Sequence, residues 1–375
     1  MEEHLESYSH ISPDSGLPIT LHPNFNPRIN NWNPPKPLYS EFRPPKDRAL
    51  FADPSKPNLF AVATPTDLTE SIGTVLSNVQ LSDLTLTQLD ELALLVAERG
   101  VVFFRNQTLK TKQQESLFSH YGIIDRHPTQ REKAHLLVKG SGHGTDTREL
   151  LNYTPWPYAG WHADASFEIN PPSYCMLRME SHPPVGGDTA WVSQYGLYDA
   201  LSASYKELFE GLHAVHTSRL QYDTLLDLWG VGPNRPPLDM HHPAVRTHPV
   251  TRLKALNVNE GFVTGFAELK KLESEYTYVF SNVDKLLDFA LQLIHSADDH
   301  LVRWKWEAGS VAFWDNRCTL HRVVPGKYKE ETRRGIRTRV LGEKPYLDPS
   351  GEGREERTTR LAEDTSNKES NEFGS

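Results

Sequence analysis

A chain of 375 residues can bury a sizeable core, as one large domain or two ordinary ones. Apolar residues make up 37% and charged residues 24%, a globular balance. The formal charge of −9, with a pI near 6.0, leaves no basic excess to release counterions from nucleic acid or an anionic membrane. Two cysteines, Cys175 and Cys318, supply neither a disulfide framework nor a Cys-rich zinc site. The acidic start Met1-Glu2-Glu3-His4 lacks the basic and apolar regions of a signal peptide, and no run approaches a membrane span. A cytoplasmic protein with no nucleic-acid and no membrane partner is therefore expected.

In chain order, residues 1–69 read as a Pro-rich N-terminal arm. Twelve of the 27 prolines fall within residues 1–65, which excludes a regular helix or interior strand there and predicts an extended segment draped on the domain. Thr87 followed by Asp90 resembles a capping box, and Leu89, Leu92, Leu95 and Val96 recur at helical spacing until Gly100. Val101-Val102-Phe103-Phe104 reads as a buried strand, followed by a helix over 111–121. Further helices are predicted near 196–212 and 283–296, and strands at 174–180, 188–193, 253–258, 302–306, 310–314 and 333–341. Many short strands with a few helices predict a mainly β fold with flanking helices, a sandwich or barrel, in one domain over 70–346. Residues 347–375 are expected to be an acidic, disordered tail.

The chemistry concentrates in two segments. Trp161-His162-Ala163-Asp164 places an imidazole and a carboxylate two residues apart, on one side of an extended backbone. Trp314-Asp315-Asn316-Arg317-Cys318-Thr319-Leu320-His321 offers a second imidazole. Two imidazoles and one carboxylate on one face leave three coordination positions open, the pattern of non-haem Fe(II) oxygenases; zinc accepts the same ligands. Downstream, alternation in 332–340 puts Arg333 and Arg337 on one side of a strand. A guanidinium fork suits the far carboxylate of a 2-keto dicarboxylate that chelates the metal, the role expected of Arg333; Arg337 would then hold an acidic group of the substrate. Gly186-Gly187-Asp188-Thr189 reads as a turn, and Thr189 offers a hydroxyl to the same cosubstrate.

Together these segments resemble the taurine dioxygenase family, the Fe(II)- and 2-oxoglutarate-dependent sulfonate dioxygenases, and the longer N-terminus is similar to that of fungal members. The resemblance rests on Trp161-His162-x-Asp164, Gly186-Gly187-Asp188-Thr189-x-Trp191, His248-Pro249-Val250, Asn259-Glu260-Gly261-Phe262, Trp314-Asp315-Asn316-Arg317 and Arg333-x-x-x-Arg337. It implies a double-stranded β-helix (jelly-roll) core, Fe(II) on His162, Asp164 and His321, and 2-oxoglutarate held by Thr189 and Arg333, with O2 as the other cosubstrate. It also implies a small anionic substrate at Arg337, contacted by His127 and Phe262. Tyr158 stands where taurine-specific members have asparagine, and Gln130 where they have tyrosine. The expected reaction is hydroxylation of an alkyl sulfonate with release of sulfite and an aldehyde. The alternative is the same chemistry on an amino acid, a purine or a specialised metabolite. Homo-oligomerisation is left open.

Overall fold

The computed structural model describes residues 10–11, 18–19, 41, 43–125, 136–139, 160–219, 238–272, 275–280, 284–324 and 332–372. A 3-10 turn, Arg48–Phe51, and a short helix α1 (Pro57–Phe60) lead into β1 (Thr64–Asp67) and β2 (Thr74–Ser77). The Pro-rich segment is thus not purely extended. Pro57 occupies the first helical turn, where its missing N–H is no loss, and Pro65 sits on a strand at the sheet edge. Helix α2 (Leu86–Arg99) begins two residues before the expected start. Thr85 and Gln88 form its capping box, and Gly100 closes it with φ near +73°.

Next come β3 (Val101–Phe104), α3 (Thr111–Ser119), β4 (Leu136–Lys139), β5 (Pro172–Ser181) and β6 (Thr189–Ser193). The single helix expected over 196–212 is two, α4 (Gln194–Asp199) and α5 (Ala203–Glu210), because Ser202 is extended between them. The chain continues through β7 (His213–Thr217), β8 (Asp239–Pro243), β9 (Val245–Thr247), β10 (Lys254–Leu256), β11 (Val263–Leu272) and β12 (Glu275–Phe280). It ends with α6 (Asp284–His295), β13 (Leu301–Trp304), β14 (Val311–Asp315), β15 (Thr319–Val323), β16 (Arg334–Leu341) and α7 (Arg354–Glu372). Helix α7 replaces the disorder expected from composition. Polar anchors start it: Arg354 donates to the carbonyls of Ser71 and Glu98, and Glu356 accepts from Gly353 N and pairs with Lys206. Among the described residues, no helix is long and apolar enough to cross a membrane.

The fold is mixed α/β. A seven-stranded sheet runs β1-β2-β3-β14-β5-β16-β4, antiparallel except between β2 and β3, and a three-stranded sheet runs β13-β6-β15. Period-two alternation sorts the large sheet's side chains into two cores. Val102, Phe104, Tyr174, Met176, Val311 and Phe313 pack with α2 and α3 on one face. Val101, Phe103, Cys175, Leu177, Ala312 and Trp314 face the other way and pack with Trp191, Val302 and Trp304 of the three-stranded sheet. Strands covered on both faces have no solvent side, so they read as unbroken apolar runs. On the far side of the small sheet, Ala190, Val192 and Leu320 pack with α4, α5 and α6. The same parity turns Thr189, Trp191 and His321 inward, between the two sheets.

Candidate metal centre

His162 and His321 form one rung of backbone pairing: His162 N donates to His321 O at 3.0 Å and His321 N to His162 O at 2.8 Å. Their rings therefore leave the backbone side by side, with centroids 4.3 Å apart. Past His162 the chain turns sharply, with Ala165 at φ +47°, and brings the Asp164 carboxylate to the same point. One ligand atom from each of the three side chains falls within 4.8 Å of the others, and all three residues are buried.

The protonation states suit a cation. Burial lowers the pKa of His162 and drives that of His321 well down, so both rings are neutral. His162 Nδ1 must donate to Gly160 O at 2.9 Å, which leaves the Nε2 lone pair bare. Burial alone would raise the Asp164 pKa, but the Arg337 and Arg339 guanidinium groups hold it well below the usual carboxylate range. Among the described residues, Asp164 Oδ2 and His321 Nδ1 are buried with no hydrogen-bond partner. An unpaired buried carboxylate oxygen is costly, and a divalent cation satisfies it; two nitrogens and one carboxylate without thiolate are a donor set that suits iron.

The arginine run divides by strand parity. Arg334 is exposed and pairs with Glu180. Arg333 is only 2% exposed; its Nε donates to Gly187 O at 3.0 Å and its Nη2 lies 3.4 Å from Thr189 Oγ1, which also accepts from Trp306 Nε1 at 2.9 Å. Gly186 and Gly187 both adopt positive φ, so the turn reading holds. A Cβ on Gly187 would press within 3.2 Å of the Arg333 side chain. Arg337 Nη1 reaches Asp164 Oδ1 at 2.7 Å, closer to the metal ligands than the sequence indicated. Phe262 is buried, edge-on to the His162 ring with centroids 6.1 Å apart. His127, Gln130 and Tyr158 lie outside the described residues.

Sequence reasoning passed over several supporting groups. Asn316 clamps the backbone of Asp164: its Oδ1 accepts from Asp164 N at 2.7 Å and its Nδ2 donates to Asp164 O at 3.0 Å. Arg339, two residues beyond Arg337 on the same strand face, is 3.7 Å from Asp164 Oδ1 and 2.5 Å from Asp125 Oδ2. Parity from Arg337 would have found Arg339. No sequence signal links Asp125 to it.

A profile of the family described as Taurine catabolism dioxygenase TauD, TfdA family matches residues 64–340. The chain is 33% identical over 361 residues to the alpha-ketoglutarate-dependent sulfonate dioxygenase of Saccharomyces cerevisiae, covering 90% of this chain and 84% of that protein. It is 36% identical over 296 residues to the alpha-ketoglutarate-dependent dioxygenase oryG of Aspergillus oryzae, covering 72% and 83%. The crystal structure of a taurine dioxygenase from Burkholderia xenovorans superposes with a TM-score of 0.60 at 27% identity, over 77% of this chain and 94% of that one. These likenesses span most of the chain and meet a complete ligand set already in place. The protein is a 2-oxoglutarate-dependent non-haem iron dioxygenase, and it belongs to the Taurine catabolism dioxygenase TauD, TfdA family.

Proposed function

We propose that the chain oxidises a small acidic substrate, an alkyl sulfonate, at the carbon next to sulfur. The observation that carries this reading is Arg337: a guanidinium that is 11% exposed and 2.7 Å from a metal ligand can hold an anion against the centre. The sulfonate named for the yeast relative supports the same class. In this reading the two facing sheets, from β1 at Thr64 onward, form a jelly-roll core.

His162, Asp164 and His321 would hold Fe(II). When bound, iron supplies the oxygen activation that couples oxidative decarboxylation of 2-oxoglutarate, to succinate and CO2, with hydroxylation of a C–H bond. The protein's own contribution is placement. Arg333 takes the far carboxylate of the cosubstrate with its guanidinium fork, beside the Thr189 hydroxyl. Arg337 releases Asp164 to the metal and turns its charge to the sulfonate, while Phe262 walls the pocket beside His162 and keeps water from it. His127, Tyr158 and Gln130 complete the substrate contacts. One oxygen atom of O2 enters succinate and the other the substrate. The resulting 1-hydroxysulfonate breaks its C–S bond, giving an aldehyde and sulfite.

A panel of alkyl sulfonates, sulfate esters, carboxylates and amino acids, assayed for succinate and sulfite together, tests the proposal. Sulfite in step with succinate is the expected result for a sulfonate. Succinate formed only with carboxylates or amino acids would overturn the sulfonate reading.

A further inference from the structure

The family match begins at residue 64, yet a carboxylate from ahead of it reaches Arg317, the chain neighbour of the Asn316 that holds Asp164. Asp47 caps the 3-10 turn Arg48–Phe51, and its Oδ1 accepts from Ala49 N and from the Tyr174 hydroxyl, each at 2.9 Å. Its Oδ2 meets Arg317 Nη1 at 2.7 Å. Arg317 is 3% exposed, and its remaining donors are taken by Asp315: Nε to Oδ1 at 2.8 Å and Nη2 to Oδ2 at 2.6 Å. Glu343 is the other acid near Nη1, at 3.4 Å, and it is already engaged by Arg246.

Asn316 stands between Asp315 and Arg317. Besides its two bonds to Asp164, it donates to Pro172 O at 3.1 Å, so its amide joins the Asp164 turn to the start of β5. Where Asp315 and Arg317 sit therefore decides where Asn316 presents that amide. Without the Asp47 carboxylate, Arg317 Nη1 keeps only Glu343, and a buried guanidinium short of an acceptor shifts toward what remains. The shift would run through the loop to the backbone of a metal ligand.

We propose that Asp47 is a positioning residue of the iron centre: it holds Arg317, and through the Asp315–Arg317 loop it keeps the Asn316 clamp, and so Asp164, in register with His162 and His321. The arm has a separate anchor for comparison. Arg48 pairs with Asp90 of α2 at 2.7 and 2.5 Å, on a carboxylate that also meets His120 and, among the described residues, bonds to none of the metal ligands.

The test is Mn(II) binding by the full-length chain, without cosubstrate or substrate, read from the EPR signal of free Mn(II). This readout is separate from the identity of the acid oxidised. In Asp47→Asn the Kd for Mn(II) is expected to rise about tenfold, as for other outer partners of metal ligands. Arg48→Met is expected to lower the melting temperature while leaving the Kd unchanged. Asp47→Glu keeps the charge but displaces it; it should show a smaller rise, and it serves as the test if the Asn variant does not fold. An unchanged Kd in the folded Asp47 variants would overturn the proposal, and so would an equal loss in Arg48→Met.

Discussion

Two buried groups of side chains in this molecule have the same look on paper. His162, Asp164 and His321 converge within 4.8 Å, and so do His248, Asp315 and Cys318. What separates them is what remains unsatisfied. In the first group a carboxylate oxygen and a ring nitrogen have no partner among the described residues. In the second, Asp315 is gripped by the Arg317 side chain and by His248 Nε2 at 3.0 Å, while Val250 N and Thr251 N both donate to His248 Nδ1. Burial pushes the Cys318 thiol pKa well up, so it offers a neutral sulfur and no thiolate. Among the described residues, Asp164 gives one oxygen to Arg337 and keeps the other open, whereas both Asp315 oxygens are taken by Arg317. Ligand types at short range do not by themselves make a metal site.

Three substitutions test this contrast. The largest effect is expected from Asp164→Ala, which should weaken Mn(II) affinity by more than the roughly 100-fold upper end for outer-shell groups, and remove turnover. Mn(II) titration and succinate release would check it; retained one-to-one binding would dissolve the contrast. Asp315→Asn should destabilise the fold by about 3–5 kcal/mol in urea unfolding, since it strands the buried Arg317. A loss confined to metal affinity would mean that the second group is not structural. Cys318→Ala should cost only about 1 kcal/mol and leave the metal stoichiometry at one. A drop in bound metal with that variant would show the second cluster to be a site after all.

Much of this was legible in the sequence. Strand β3 is found at its expected residues and β14 lies within one residue of its own, because strands covered on both faces produce apolar runs with sharp ends; β5 and β16 lie within one or two residues of theirs, β16 through its alternation. The start of α2 was misplaced because Thr85 and Thr87 compete as caps. Asp90 pairs with Arg48 and His120 and takes no part in the cap. The hairpin of β11 and β12 went unread, since Lys270, Lys271, Glu273 and Glu275 break its apolar pattern. At the site, spacing supplies the candidate ligands and the parity of the arginine strand, and the family resemblance is what assigns the ligands to iron. Asp47, Asp125 and the Asn316 clamp were not, because each acts on a partner far along the chain and only packing supplies the pairing.

The backbone rung between His162 and His321 has a kinetic side. It closes a loop running from residue 162 to residue 321, so the two imidazoles meet only after the long stretch between them has been brought back on itself. During refolding, metal capture should therefore be among the late events and report on completion of the sheets. The rung is also intolerant of error: a slip of one residue along β15 would present Leu320 or Arg322 in place of the second imidazole. A chain caught in that register would be compact, paired and unable to hold its ion.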